Sequence, residues 1–224
     1  MPAAMVEVLP QQQAEQLARR AAAARGVIWP TDGGRNKPIV AGFAADLTGH
    51  PGFEQVVWTN LGSEGLLAVF AGGKLVGADT ELGQILRVQP VTLPGLPHKA
   101  LMLDDRYDAM VGAFLVEERR RILVWDGRGL RKVYQGVLAS EKYQHARWDS
   151  PRGPAVWRLS RTTGDIHLRG IILTEQMRHE RLEAPGSPQE PIPQSAAFRT
   201  TSEETRQRRL QWDARLRRFE PLQA

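Results

Sequence analysis

At 224 residues, 42% hydrophobic and 25% charged, the chain has the composition of an ordinary globular protein, with room for one sizeable domain and appended segments. No run approaches the roughly 18 consecutive apolar residues of a membrane span, and the lack of any cysteine excludes disulfides, thiolate metal sites and thiol nucleophiles. The formal net charge of +5 is lopsided: residues 1–112 hold 9 Lys/Arg against 11 Asp/Glu and residues 113–224 hold 21 against 14, so the halves stand at −2 and +7.

The N-terminus, "MPAAMVEVLPQQQAEQ", shows no basic stretch followed by an apolar one, so no intact signal peptide is visible. The expected compartment is the extracytoplasmic envelope if a signal has been removed, and the cytoplasm otherwise. Residues 11–24, "QQQAEQLARRAAAA", predict a helix, since Ala, Gln, Glu, Leu and Arg all favour one. Its apolar stripe of Ala14, Leu17, Ala18 and Ala21 is thin and needs a surface to lie on, either its own sheet or a partner. "WPTDGGRNKP", Trp29 to Pro38, then breaks regular structure with two prolines and two glycines. Residues 1–38 are therefore read as a helix and linker, and 39–222 as a β domain.

From Ile39 to about Leu173, short β-branched and aromatic runs ("QVVWTN", "LLAVFAG", "AMVGAFLVE", "RILVWDG", "AVWRLSR", "DIHLRGIIL") alternate with Gly, Pro and Asp punctuation, which predicts strands. "VWRLSRTTGDIHLRGI" reads as a hairpin with Thr162 to Asp165 at its turn. Residues 183–195, "EAPGSPQEPIPQS", hold four prolines and read as a loop, and the polar run Ser202 to Arg209 reads as the start of a short helix. The fold class expected is mainly β, an antiparallel propeller-like or multi-hairpin sheet with one N-terminal helix.

A weak repeat runs through the strands. Ala44 to Val76 opens on "ADLTGHPGFE" and closes on "VFAGGKLV", while Met102 to Val133 opens on "MLDDRYD" and closes on "VWDGRGLRKV". A shortened third echo, "LQWDARLRRFE", ends the chain. Asp46, Thr48, Gly49, Gly52, Glu54, Val56 and Val57 in the first unit resemble the FG-GAP and VCBS class of β-propeller repeats. So do Asp104, Asp108, Val111, Trp125, Asp126 and Gly127 in the second, and the resemblance spans about half the chain. It implies a multi-hairpin β protein used for binding or assembly, commonly outside the cytoplasm. In that class the acidic turn often holds calcium, an ion that takes six to eight oxygens. Here Asp46, Thr48 and His50 leave one carboxylate in the first turn. The second keeps Asp104, Asp105 and Asp108 without the glycines, and reads as a solvated turn. No metal or cofactor is expected.

Catalysis finds no foothold. Ser63 in "LGSEG" lacks the spacing of a nucleophile elbow. His50, His98, His145, His167 and His179 are not paired as zinc ligands are, and "GGKLVG" is no phosphate loop. Anion recognition has more to offer: Arg206, Arg208, Arg209, Arg215, Arg217 and Arg218 surround Trp212, and Arg119, Arg120 and Arg121 precede Trp125. Guanidinium groups hold phosphates and exposed aromatics stack bases. Alternation, however, turns Trp125, Trp157 and Trp212 inward as core residues. Two functions therefore stay open. One is a non-catalytic binding or scaffolding module with a protein partner. The other is a basic nucleic-acid-binding protein using the Arg-rich C-terminal half.

Overall fold

The computed structural model describes residues 7–30, 38–111, 113–145, 156–185 and 199–222. These form one antiparallel sheet of twelve strands in strict chain order, open rather than closed into a barrel, with one helix. Among the described residues no helix is long and apolar enough to cross a membrane. Of the two architectures expected, the chain takes the multi-hairpin sheet. After β1 (Glu7–Val8) comes the helix α1 (Gln11–Ala24), as its composition predicts. The helix ends where Gly26, at φ 68°, lets the chain turn back, so that the Val27 and Gly26 N–H groups donate to the carbonyls of Ala22 and Ala23.

The strands β2 (Val40–Ala45), β3 (Glu54–Leu61) and β4 (Glu64–Ala71) form the base of the sheet with the first part of β5 (Lys74–Val91). β4 is buried on both faces, which is why "LLAVF" shows no alternation. Leu67 and Val69 join Phe43, Val56, Leu101 and Leu123 on one face. Leu66, Ala68 and Phe70 meet Ala14, Leu17, Ala18, Ala21 and Ala22 of α1 on the other. The thin stripe thus lies on the chain's own sheet, and its small side chains bring helix and sheet close together.

β5 carries the sheet from base to outer part: it pairs with β4 as far as Gly83 and with β6 (Ala100–Val111) from Gln84. Only glycine fits at this bend. A Cβ on Gly83 would lie 2.1 Å from the Arg106 carbonyl oxygen, and one on Gly65 would lie 2.4 Å from that of Gly83. The sheet continues through β7 (Ala113–Trp125), β8 (Leu130–His145), β9 (Val156–Arg169), β10 (Ile172–Pro185) and β11 (Arg199–Asp213) to β12 (Arg218–Pro221). It curls so that β12 returns towards β8. Inside the curl Ile122, Tyr134, Ile166, Leu173, Leu210 and Trp212 pack with Leu93 and Phe219, and Trp212 Nε1 donates to the Pro94 carbonyl at 3.0 Å.

Several expectations change. "DDRYD" is not a turn but the middle of β6, where Asp104 and Asp105 meet Arg120 and Arg119 on β7 and Asp108 lies opposite Val116. "AMVGAFLVE" is divided between β6 and β7, since β6 ends at Val111 and β7 begins at Ala113. Thr162 to Asp165 is strand too: β9 runs unbroken against β10, and the chain reverses after Arg169, where Gly170 sits at φ 57°. Gly164 serves close packing instead, a Cβ there falling 2.0 Å from the Val137 carbonyl oxygen. Ser202 to Arg209 is the body of β11, held in register by β10 against its own polar composition. Glu183–Pro185 is the end of β10 rather than loop, and the rest of the expected proline-rich loop, 186–195, lies outside the described residues.

Candidate binding surface

The two Trp-Asp stretches are the same device. In the β7–β8 turn, Asp126 Oδ1 accepts the N–H groups of Arg128 and Gly129 at 2.9 and 3.0 Å. In the β11–β12 turn, Asp213 Oδ1 accepts those of Arg215 and Leu216 at 2.8 and 2.9 Å. Each Trp lies buried one residue ahead. Short acidic side chains bond the backbone two and three residues on, which fixes such turns. The Arg128 and Gly129 N–H groups also hold the Asp126 carboxyl below its ordinary value. Where the first turn has Gly127 at φ 97°, the second reaches positive φ at Arg217, 49°. Arg131 Nη2 donates to the Arg217 carbonyl at 2.7 Å, so the two turns stand side by side. Arg128, Arg131, Arg215, Arg217 and Arg218 thereby share one rim of the molecule.

Arg119, Arg120 and Arg121 are committed elsewhere. Antiparallel register sets Arg120 opposite Asp104 and Arg119 opposite Asp105, with Arg121 on the diagonal. Arg120 grips Asp104 with Nε and Nη2, both at 2.7 Å, and its Nη1 donates to the Ile166 carbonyl at 2.8 Å. The Asp104 hydrogen bond raises the Arg120 pKa against the opposing effect of burial. Asp105 is 0% exposed. Its Oδ2 accepts from Arg119 at 2.8 Å, Arg121 at 3.1 Å and the Gly83 N–H at 3.0 Å. Arg121 Nε also lies 3.0 Å from Oδ1, without the alignment of a hydrogen bond. Adjacent carboxylates on opposite faces of a strand thus neutralise three arginines, which are structural counter-ions. Among the described residues no group of three His, Asp or Glu side chains converges in a metal-ligating arrangement. In the first unit, Glu54 spends its carboxylate on the Leu47 N–H at 2.6 Å, the Thr48 N–H and the Thr48 hydroxyl.

The remaining nominated arginines lie on β11 and the turn after it. Arg208 Nη2 donates to Glu175 at 2.6 Å, and Tyr134 donates its hydroxyl to the same carboxylate oxygen at 3.0 Å. Arg206 donates to Glu204 at 2.7 Å, a contact that lowers the Glu204 pKa and raises that of Arg206. Arg218 pairs with Glu220. Arg209, Arg215 and Arg217 have no carboxylate partner among the described residues. A shallow groove beside Arg206 is lined by Ser160, Thr162, His179, Arg181 and Ser202, with Thr162 Oγ1 3.0 Å from His179 Nδ1.

Sequence reading missed the edge of β11. Arg199 to Arg209 is exposed on both faces, and only β10 pairs with Arg199 to Arg208 among the described residues, β12 covering Leu210 to Asp213. The Trp212 N–H points to β10, donating to the Ile171 carbonyl, while the Arg209 carbonyl accepts from Leu222 on the other side. Because these directions alternate along a strand, the N–H and C=O of Glu203, Thr205 and Gln207 face outward. The signal was present as the acidic-then-basic order "SEETRQRR", read as a helix start. No family model, curated protein or solved structure matches this chain.

Proposed function

We propose that this protein is a non-catalytic binding or scaffolding module whose docking element is the outer edge of β11. One observation carries this reading: a long strand, polar on both faces, presents outward main-chain donors and acceptors at Glu203, Thr205 and Gln207 that have no partner among the described residues. An exposed sheet edge takes up an added strand, with main-chain hydrogen bonds giving affinity and alternate side chains giving selectivity. The resemblance of the repeated hairpins to a class used for binding and assembly supports the same reading.

A second reading, anion or nucleic-acid binding, keeps support at one place. The Arg131–Arg217 contact joins two basic turns, and Arg209, Arg215 and Arg217 are the nominated arginines left without carboxylates among the described residues. The other six nominees are ion-paired.

One experiment separates them. Thr205→Pro deletes an outward N–H and leaves the ladder to β10 intact, as proline does at an edge. We expect the intact protein to retain partners that the proline variant loses, with amide exchange at 203–207 slowed in their presence. Equal retention by both proteins would overturn the edge reading. Oligonucleotide binding that survives Thr205→Pro, falls steeply with salt and is lost in Arg215→Glu would establish the second reading instead.

A further inference from the structure

Resting on the edge reading, we propose that the strand taken up by β11 is β11 of a second copy of this chain, paired antiparallel about a two-fold axis through Thr205. The charge order is the first support. Ahead of Thr205 stand Glu203 and Glu204, and behind it stand Arg206, Gln207 and Arg208. Acidic on one side and basic on the other is the arrangement that an antiparallel pairing of identical strands requires, because the strand meets its own sequence reversed.

Register follows from two constraints. Opposed residues in an antiparallel pair point to the same face, so a two-fold axis must pass through a residue pairing with its own copy. Centred on Glu204, the pairing sets two carboxylates against each other; centred on Arg206, it sets two guanidinium groups together. Centred on Glu203 it again opposes carboxylates. On Thr205, Glu204 faces Arg206 of the other copy, twice over by symmetry, Ser202 faces Arg208, and Glu203 faces Gln207. Thr205 meets itself, a favourable cross-strand pair.

The main chain accommodates this centre and engages all three outward residues. Glu203, Thr205 and Gln207 are the residues whose N–H and C=O face outward, and this register pairs Thr205 with Thr205 and Glu203 with Gln207. Each such pair exchanges two hydrogen bonds. Leu222, bonded to the Arg209 carbonyl, marks one end of the open edge. Edges resist pairing through charged side chains, proline or bulges, and charges do so where like meets like across the new ladder. The charges here are self-complementary, and the irregularity in β11 lies further back, opposite Arg181 and Leu182. Pairing joins the sheets of both copies into one continuous sheet.

The absence of cysteine allows a clean test on the full chain. In a hydrogen-bonded antiparallel pair the Cα atoms lie about 5.5 Å apart, within disulfide range. Under mild oxidation Thr205→Cys is expected to give a covalent dimer and Thr200→Cys is not. By sedimentation equilibrium the unmodified protein should dimerise. Arg206→Glu, which opposes Glu204 with a second carboxylate at two symmetric sites, should raise the dissociation constant roughly tenfold or more. The exchange Glu204→Arg with Arg206→Glu should restore dimerisation. A monomer at every concentration, a dimer indifferent to Arg206→Glu, or no rescue by the exchange would each overturn the proposal. If the protein is monomeric yet loses other partners in Thr205→Pro, self-pairing falls and the edge reading stands. If Thr205→Pro changes neither property, the edge reading falls with it.

Discussion

β4 and β11 belong to one sheet and are held there by different forces. Leu66 to Phe70 of β4 are buried on both faces, between a core of Phe43, Val56 and Leu101 and the alanine face of α1. Arg199 to Arg209 of β11 bury neither face and keep their conformation through the ladder to β10 and bridges such as Arg178 to Glu203 at 2.8 Å and Arg208 to Glu175 at 2.6 Å. Burial makes β4 a strand wherever it meets that core, whereas β11 is a strand because its neighbour is one. The stability of the molecule should therefore be graded from base to outer edge, since local opening is easiest where buried apolar contacts are few.

The base offers the largest effect. Phe70 is 1% exposed and packs against the helix face, with the Arg20 guanidinium 5.3 Å from its ring. Phe70→Ala should lower unfolding stability by about 3–5 kcal/mol, through lost burial and the cavity left behind. Chemical denaturation would show this as a shifted midpoint with an unchanged slope. A loss below about 1 kcal/mol would mean that the helix-covered face is no better packed than the outer strands.

The same contrast explains what the sequence made legible. The helix at 11–24, the strands of the base and the inward tryptophans Trp125 and Trp212 all follow from local pattern, because local composition and burial agree there. Thr162 to Asp165 and Ser202 to Arg209 were misread because their local preference is for turn and helix, and long-range pairing with β10 overrides it. The candidate site follows the same division. Its arginines were visible as a composition, but their partners were not: Asp104 and Arg120 are 16 residues apart and meet only through strand register. The charge order of "SEETRQRR" was legible, but its place at a sheet edge was not, since an edge is defined by which strands are neighbours. The Trp-Asp echo was legible as a repeat, and its cause, one carboxylate bonding two backbone N–H groups, is entirely local.

Tyr134 stands where the two regimes meet, its ring in the apolar curl near Phe219 and its hydroxyl on Glu175, which Arg208 also holds. Burial first, and the charge of Glu175 second, push its pKa far above the ordinary 10.0. A group whose pKa is raised by folding contributes stability that is intact below its unfolded value and lost as pH rises through the folded one. Stability should accordingly hold to about pH 10 and fall above it. Tyr134→Phe should lower stability at neutral pH by about 0.5–1.5 kcal/mol, for one hydrogen bond, and flatten the alkaline decline. Thermal melts at stepped pH would show both, and an unchanged alkaline slope would place the decline elsewhere.

The smallest effect belongs to the outer strands. Arg178 on β10 reaches Glu203 of β11 at 2.8 Å and Glu180 of its own strand at 3.4 Å, with its side chain 52% exposed. Water and salt screen such a pair, so Arg178→Ala should change global stability by only about 0.2–1 kcal/mol, less as ionic strength rises. The informative readout is local. If β11 opens from β10 without unfolding the base, the variant should speed amide exchange in β11 several-fold and leave that of β4 unchanged. Equal acceleration in both strands would mean that the sheet opens as one unit, and the grading from base to edge would fail. The measurement must be made at low protein concentration, because strand pairing between copies would protect the same amides and hide the local opening it is meant to reveal.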